Sequence, residues 1–113
     1  MTPASRHLLG TDLHRLGLEP LPLDPTDVLD GTPSTRSAVL DTVGVAEIGV
    51  WEITSGTVED VEVDEVFVVL SGRAVLEVDD TTIELVPGVA VRLHAGDRTV
   101  WTVTETLRKL YVA

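Results

Sequence analysis

The segment Gly56–Gly72, GTVEDVEVDEVFVVLSG, places Glu59, Asp60, Glu62, Asp64 and Glu65 directly before an apolar run. Carboxylates at this density can hold a hard cation, act as an acid and base, or form a solvated rim. On one extended strand, residues six apart lie roughly 20 Å from each other. Glu59 and Glu65 can therefore meet only if the chain reverses around Glu62–Asp64. Such a reversal predicts an inward row of Glu59, Val61 and Val63 before the turn and of Glu65, Phe67 and Val69 after it, leaving Asp60, Glu62 and Asp64 in an exposed loop. Glu65, at the edge of an apolar interior, is then expected to have a raised pKa and to serve as a catalytic acid or base. The alternative for Glu65 is a structural carboxylate, bonded to a neighbouring strand or Tyr111 or paired with an arginine. For Glu59 the alternative is plain solvation. Trp51, Trp101 and Tyr111 offer flat faces with polar tips and are candidate walls of a ligand pocket, with ordinary core packing as the alternative for both tryptophans.

The elements that must position these groups are short strands. From Ser37 onward the pattern has period two, with strands predicted over 37–43, 45–53, 58–61, 66–70, 74–78, 82–85, 90–93, 99–103 and 109–112. Ser55-Gly56, Ser71-Gly72, Asp79-Asp80, Pro87-Gly88 and Ala95-Gly96-Asp97 supply the turns between them. Many short strands so spaced predict an all-β antiparallel sandwich or barrel. Residues 1–36 are interrupted by Pro3, Pro20, Pro22, Pro25 and Pro33 and read as an extended arm, with a short helix predicted near Leu8–Leu16. The arm is expected to pack on the barrel or on a partner subunit, and residues 37–113 form the main domain.

A chain of 113 residues supports one core and one principal site. With 19 acids against 8 bases, the formal charge is −11, which opposes binding to a phosphate backbone, so no nucleic-acid partner is expected. No apolar run approaches the roughly 18 residues needed to cross a bilayer, and the first residues lack a long apolar leader, so the expectation is no membrane contact and a cytoplasmic location. The absence of cysteine rules out disulfides, thiolate metal sites and a cysteine nucleophile. Arg92 is expected to face solvent, His94 to sit in an exposed turn, and either Arg108 or Lys109 to offset the acidic surface.

The order of these segments resembles small single-domain cupins related to ureidoglycine aminohydrolase and to ethanolamine-utilisation cupins. The resemblance rests on GVWEITSG at 49–56, EVFVVLSG at 65–72, RAVLEVDDTTIEL, then Pro87-Gly88, VAVRLHAGDRTVW and the closing TVTETLRKLYV. It implies a cupin jelly-roll β-barrel of two antiparallel sheets, a pocket in its mouth, and a homodimer. It also implies where a metal would sit. Glu65 and Gly72 match the glutamate and glycine of the first cupin motif, but Glu59 and Val61 stand at its two histidine positions and Thr99 stands where the third histidine belongs. The three histidines present, His7, His14 and His94, match none of these places.

Two carboxylates and the Thr99 hydroxyl suit transition metals poorly. No metal and no cofactor are therefore expected. The expected function is binding of a small polar molecule in the barrel mouth by Glu59, Glu65, Thr99, Trp101, Trp51 and Tyr111. Two alternatives stay open: carbon–nitrogen chemistry like that of ureidoglycine aminohydrolase with Glu65 as acid/base, and a non-catalytic structural or regulatory dimer.

Overall fold

In the computed structural model, which describes residues 6–113, the chain forms nine strands and two single 3-10 turns. The strands are β1 Glu19–Leu21, β2 Val28–Asp30, β3 Thr35–Val43, β4 Ala46–Ile53, β5 Gly56–Val61, β6 Glu65–Val78, β7 Thr81–Leu85, β8 Ala90–Leu93 and β9 Arg98–Val112. Every pairing is antiparallel. No helix among the described residues is long and apolar enough to cross a membrane.

The fold turns on two long strands. β6 and β9 run against each other along their whole length, Val66–Val69 facing Lys109–Val112 and Ala74–Val78 facing Thr99–Val103. The other strands hang from this pair. β4 and β5 both pair with β9, while β8 and β7 pair with the first and second halves of β6. One sheet thus curls over itself into the jelly roll, rather than two separate sheets facing each other, because β6 and β9 each belong to both halves.

This continuity corrects the sequence reading, which placed a turn at Ser71-Gly72 and separate strands at 99–103 and 109–112. The register of β6 against β9 shifts around Ser71 and Arg73, so the residues that looked like a reversal form a bulge that bends the strand instead. Gly72, at φ +93°, has a reason to be glycine there: a Cβ would run into the Thr106 carbonyl oxygen and come within 2.7 Å of Leu107 Cα.

The interior is filled by Ile53, Phe67, Leu76, Leu85, Leu93 and Leu107, all fully buried. Each contributes about 1.5–3 kcal/mol by leaving water.

The arm differs from its expected form. The helix predicted near Leu8–Leu16 is reduced to a 3-10 turn at Leu13–Arg15, and the first five residues of the predicted arm lie outside the described residues. Beyond this turn the arm joins the sheet, β1 pairing with β3 and β2 with β5. A second 3-10 turn, Pro25–Asp27, is capped by Asp24, whose carboxylate accepts from Thr26 N at 2.9 Å. Arg108, only 7 % exposed, fastens the earlier part by donating to the carbonyls of Leu13 (3.0 Å) and Leu16 (2.9 Å).

Candidate functional site

Lys109 is the only lysine in the sequence, and the fold buries it. On β9, Trp101, Val103, Leu107, Lys109 and Tyr111 share odd parity, and β4 brings Trp51 opposite Lys109. The Lys109 ammonium lies 4.5 Å from the Phe67 ring centre, 4.6 Å from that of Trp51 and 4.8 Å from that of Trp101. Such a cage holds a cation by the negative faces of its rings. Trp101 is the hub of the cage, with ring centres 5.8 Å from Trp51 and 5.5 Å from Phe67. Glu65 completes the arrangement: its Oε2 accepts from Lys109 Nζ at 2.6 Å, with the two side chains only 12 % and 6 % exposed. Glu65 does point inward, as its sequence position implied, and its partner is a lysine rather than the arginine or tyrosine considered.

A second carboxyl enters the same site from an unexpected place. Glu62 was assigned to an exposed loop, yet it is half-buried, because the inward residues of β5 are the even ones. Buried Val58 faces Trp101 and Asp60 faces Thr99 across the β5–β9 ladder, while Val61 and Val63 are exposed. The parity inferred from Glu59 was therefore off by one. Backbone bonds fix the position of Glu62, its N–H donating to Asp97 O at 2.8 Å and its carbonyl accepting from Gly96 N at 2.9 Å. Asp64 ties down the same loop by accepting from Ala95 N and from Arg92, each at 3.1 Å. These bonds, first that of Ala95 and then that of Arg92, hold the Asp64 carboxyl below its usual pKa.

The Glu62 carboxyl ends a short chain of donors: Trp101 Nε1 donates to Thr99 Oγ1 at 3.1 Å, and Thr99 Oγ1 donates to Glu62 Oε2 at 3.3 Å. Burial pushes the Glu62 pKa up to about 8, reinforced by a hydrogen bond and charge repulsion from Asp60 and by the charge of Glu65, with Lys109 opposing. At neutral pH this carboxyl is mostly protonated.

Above the cage lies a cavity of about 670 Å³, bordered by Trp51, Trp101, Glu62, Glu65, Lys109 and Tyr111 among others. Tyr111 donates to Glu47 Oε2 at 2.8 Å, and burial, this bond and the nearby carboxylates raise its pKa to about 12. Gly49, paired with Tyr111, makes room for the phenol, since a Cβ there would stand 2.5 Å from its oxygen.

The structure thus brings together Glu65, Trp51, Trp101 and Tyr111 around one cavity, with Thr99 buried behind Trp101 and bonded to it. Glu59 is exposed and only borders the cavity. Sequence reasoning missed Glu62 and Lys109. The odd parity from Trp101 to Tyr111 signals Lys109, whereas Val58, Val61 and Val63 put apolar residues on both parities, so nothing local signals Glu62. One of Arg108 and Lys109 was expected to offset the acidic surface, but both are buried: Arg108 lies on the opposite parity, with two bonds to Glu52 Oε1 at 2.9 and 3.2 Å. Arg92 and His94 are exposed as expected.

The metal that cupin motifs carry does not fit these residues. Val61 offers no donor, the charge of Glu65 is already balanced by an ammonium group, and no cluster of three or more His, Cys, Asp or Glu suited to a metal occurs among the described residues.

Comparison with other proteins places the fold. The chain is similar to a protein of unknown function of the DUF861 family from Pseudomonas syringae pv. tomato, with 29 % identity and a TM-score of 0.70 over 87 % of this chain and 44 % of that one. This chain therefore spans less than half the length of that relative. It is similar to the EutQ protein of Clostridium difficile at 19 % identity and TM-score 0.61, covering 81 % of this chain and 79 % of that one. It also resembles a DUF1255 protein of unknown function from Acidithiobacillus ferrooxidans at 21 % identity and TM-score 0.63, covering 87 % and 91 %. No protein with a curated function matches the sequence. The EutQ-like cupin domain matches residues 40–111, which run from β3 through the Lys109–Tyr111 end of β9, and the chain belongs to that cupin family.

Proposed function

We propose that this cupin binds a small polar molecule in the mouth of its barrel, using the Glu65–Lys109 pair and the tryptophan walls in place of a histidine-held metal. The observation that carries the reading is the 2.6 Å ion pair at the edge of a cavity of about 670 Å³, a volume within the range of small-molecule sites. An ammonium group has three donors, of which one is directed to Glu65, and the carboxylate keeps further acceptor capacity. Both groups can therefore address a ligand from fixed positions.

Trp51 and Trp101 are the two tryptophans of the chain, so their emission reports on the mouth. Titration with a panel of small metabolites should produce emission changes that are lost in Glu65→Gln. A ligand whose binding ignores that substitution would place the site elsewhere. Metal content of protein purified without chelator tests the other half: a stoichiometric transition metal present in the wild type and absent from Glu65→Gln would overturn it.

Pairing of two copies belongs to the same reading. It is supported by the β3–β4 hairpin, where Val39, Val43 and Val45 are exposed at 57 %, 65 % and 106 %. Size-exclusion of Val43→Glu should show a smaller species than the wild type, and identical elution would remove this hairpin as the contact.

A further inference from the structure

The cavity has a marked charge asymmetry. Asp24 and Asp27 from the arm, Glu47 from β4, Asp60 from β5, and Glu62 and Glu65 border it against the single base Lys109, which Glu65 already neutralises. Charge alone would describe only a solvated rim. Here it lines a concave mouth, open to solvent on one side, whose wall also includes the apolar side chains of Leu23, Val58 and Trp51, and the overall charge of −11 raises the local concentration of cations. The site also already accommodates an amine, since the cage of Trp51, Phe67 and Trp101 with Glu65 receives the ammonium of Lys109.

We propose that the mouth is a receptor for a small organic cation, a primary amine with an apolar body, whose ammonium group is received by Glu62 and Asp60. The inference rests on the reading of the mouth as the ligand site and adds the charge of the ligand and the residues that meet it. Glu62 lies in the cavity wall with Asp60 of β5 beside it, Lys109 of β9 and Glu65 of β6 facing it, and the Thr99 hydroxyl behind it. Of these, only Lys109 is cationic, and it is held by Glu65. An arriving ammonium supplies the counter-charge that Glu62 lacks. Binding therefore drives Glu62 from carboxylic acid to carboxylate, its proton passing to solvent.

Benzylamine, benzyl alcohol and benzoate, matched in size, separate the possibilities. Calorimetric titration in two buffers of different ionisation enthalpy measures affinity and proton release together. The expected result is that benzylamine binds at least about tenfold more tightly than the alcohol, as an added charge-assisted bond requires. Benzoate should be weakest, and each bound amine should release most of one proton near neutral pH. Amine affinity should climb by up to about tenfold per pH unit as Glu62 ionises. In Glu62→Gln the release and the pH dependence should vanish and the preference over the alcohol should collapse. Asp60→Asn, at an exposed position, should weaken amine binding if Glu62→Gln does not fold.

Alcohol or benzoate binding as tightly as the amine would overturn the amine assignment while leaving the mouth as a ligand site. Amine binding unchanged in both variants would overturn the receiving residues. No binding by any of the three would overturn both this inference and the reading beneath it.

Discussion

Glu62→Gln should change how stability depends on pH, in a direction fixed by burial. In the unfolded chain Glu62 loses its proton near the ordinary glutamate value of 4.5, whereas in the fold it keeps it until about 8. Between these values the native state binds the extra proton, so this residue's contribution to stability is fully present below about 4.5, falls as pH rises, and levels off above about 8. Taken at about 1.4 kcal/mol per pH unit, the interval sets an upper limit of about 5 kcal/mol. Partial solvent access screens this to about 2 kcal/mol. Glutamine keeps an acceptor for Thr99 and a donor toward Asp60 but cannot ionise. Urea or thermal unfolding of both proteins should give nearly equal stabilities at about pH 5 and a variant more stable by about 2 kcal/mol at about pH 9, or about 8 °C in Tm. Carboxylates common to both proteins cancel in the difference. A wild-type-minus-variant difference that stays flat from pH 5 to pH 9 would refute the argument that Glu62 is held protonated by its surroundings.

Lys109→Met should cost about 3–5 kcal/mol in urea unfolding by leaving Glu65 buried without a counter-charge, and combining it with Glu65→Leu should recover most of that loss; additive losses would show that the two residues act separately. Gly72→Ala should destabilise by at least about 3 kcal/mol, because the new Cβ meets β9 backbone at a positive φ, while Gly44→Ala, with open space around it, should cost about 1 kcal/mol. Arg108→Ala should free the arm from the barrel, seen as faster trypsin cleavage after Arg15; an unchanged rate would mean that β1 pairing alone holds the arm.

The all-β architecture was legible because most turns carry Gly, Pro or Asp and the intervening residues alternate. The long strands were not, because Gly72 serves for a close crossing of backbones as well as for a reversal, and local sequence does not distinguish the two. β1 and β2 were hidden for a related reason: three-residue strands among prolines acquire their bonds only from β3 and β5, which are distant in sequence. Glu65 could be placed from its alternation with Phe67 and Val69 together with the motif spacing. Glu62 could not, since Val58, Val61 and Val63 give the β5 segment apolar residues of both parities and only the register against Trp101 and Thr99 decides between them. Lys109 was obscured by its type, because a lysine among acids suggests surface pairing until three aromatic rings are known to surround it.

The cation beside Glu65 is encoded in the chain. As the only lysine, Lys109 makes the mouth the sole place where a side-chain amine can be acylated or alkylated. Since the surface has no competing lysines, an amine-directed reagent that modifies any lysine of this protein has entered the barrel. The extent of labelling therefore measures how often the cage opens.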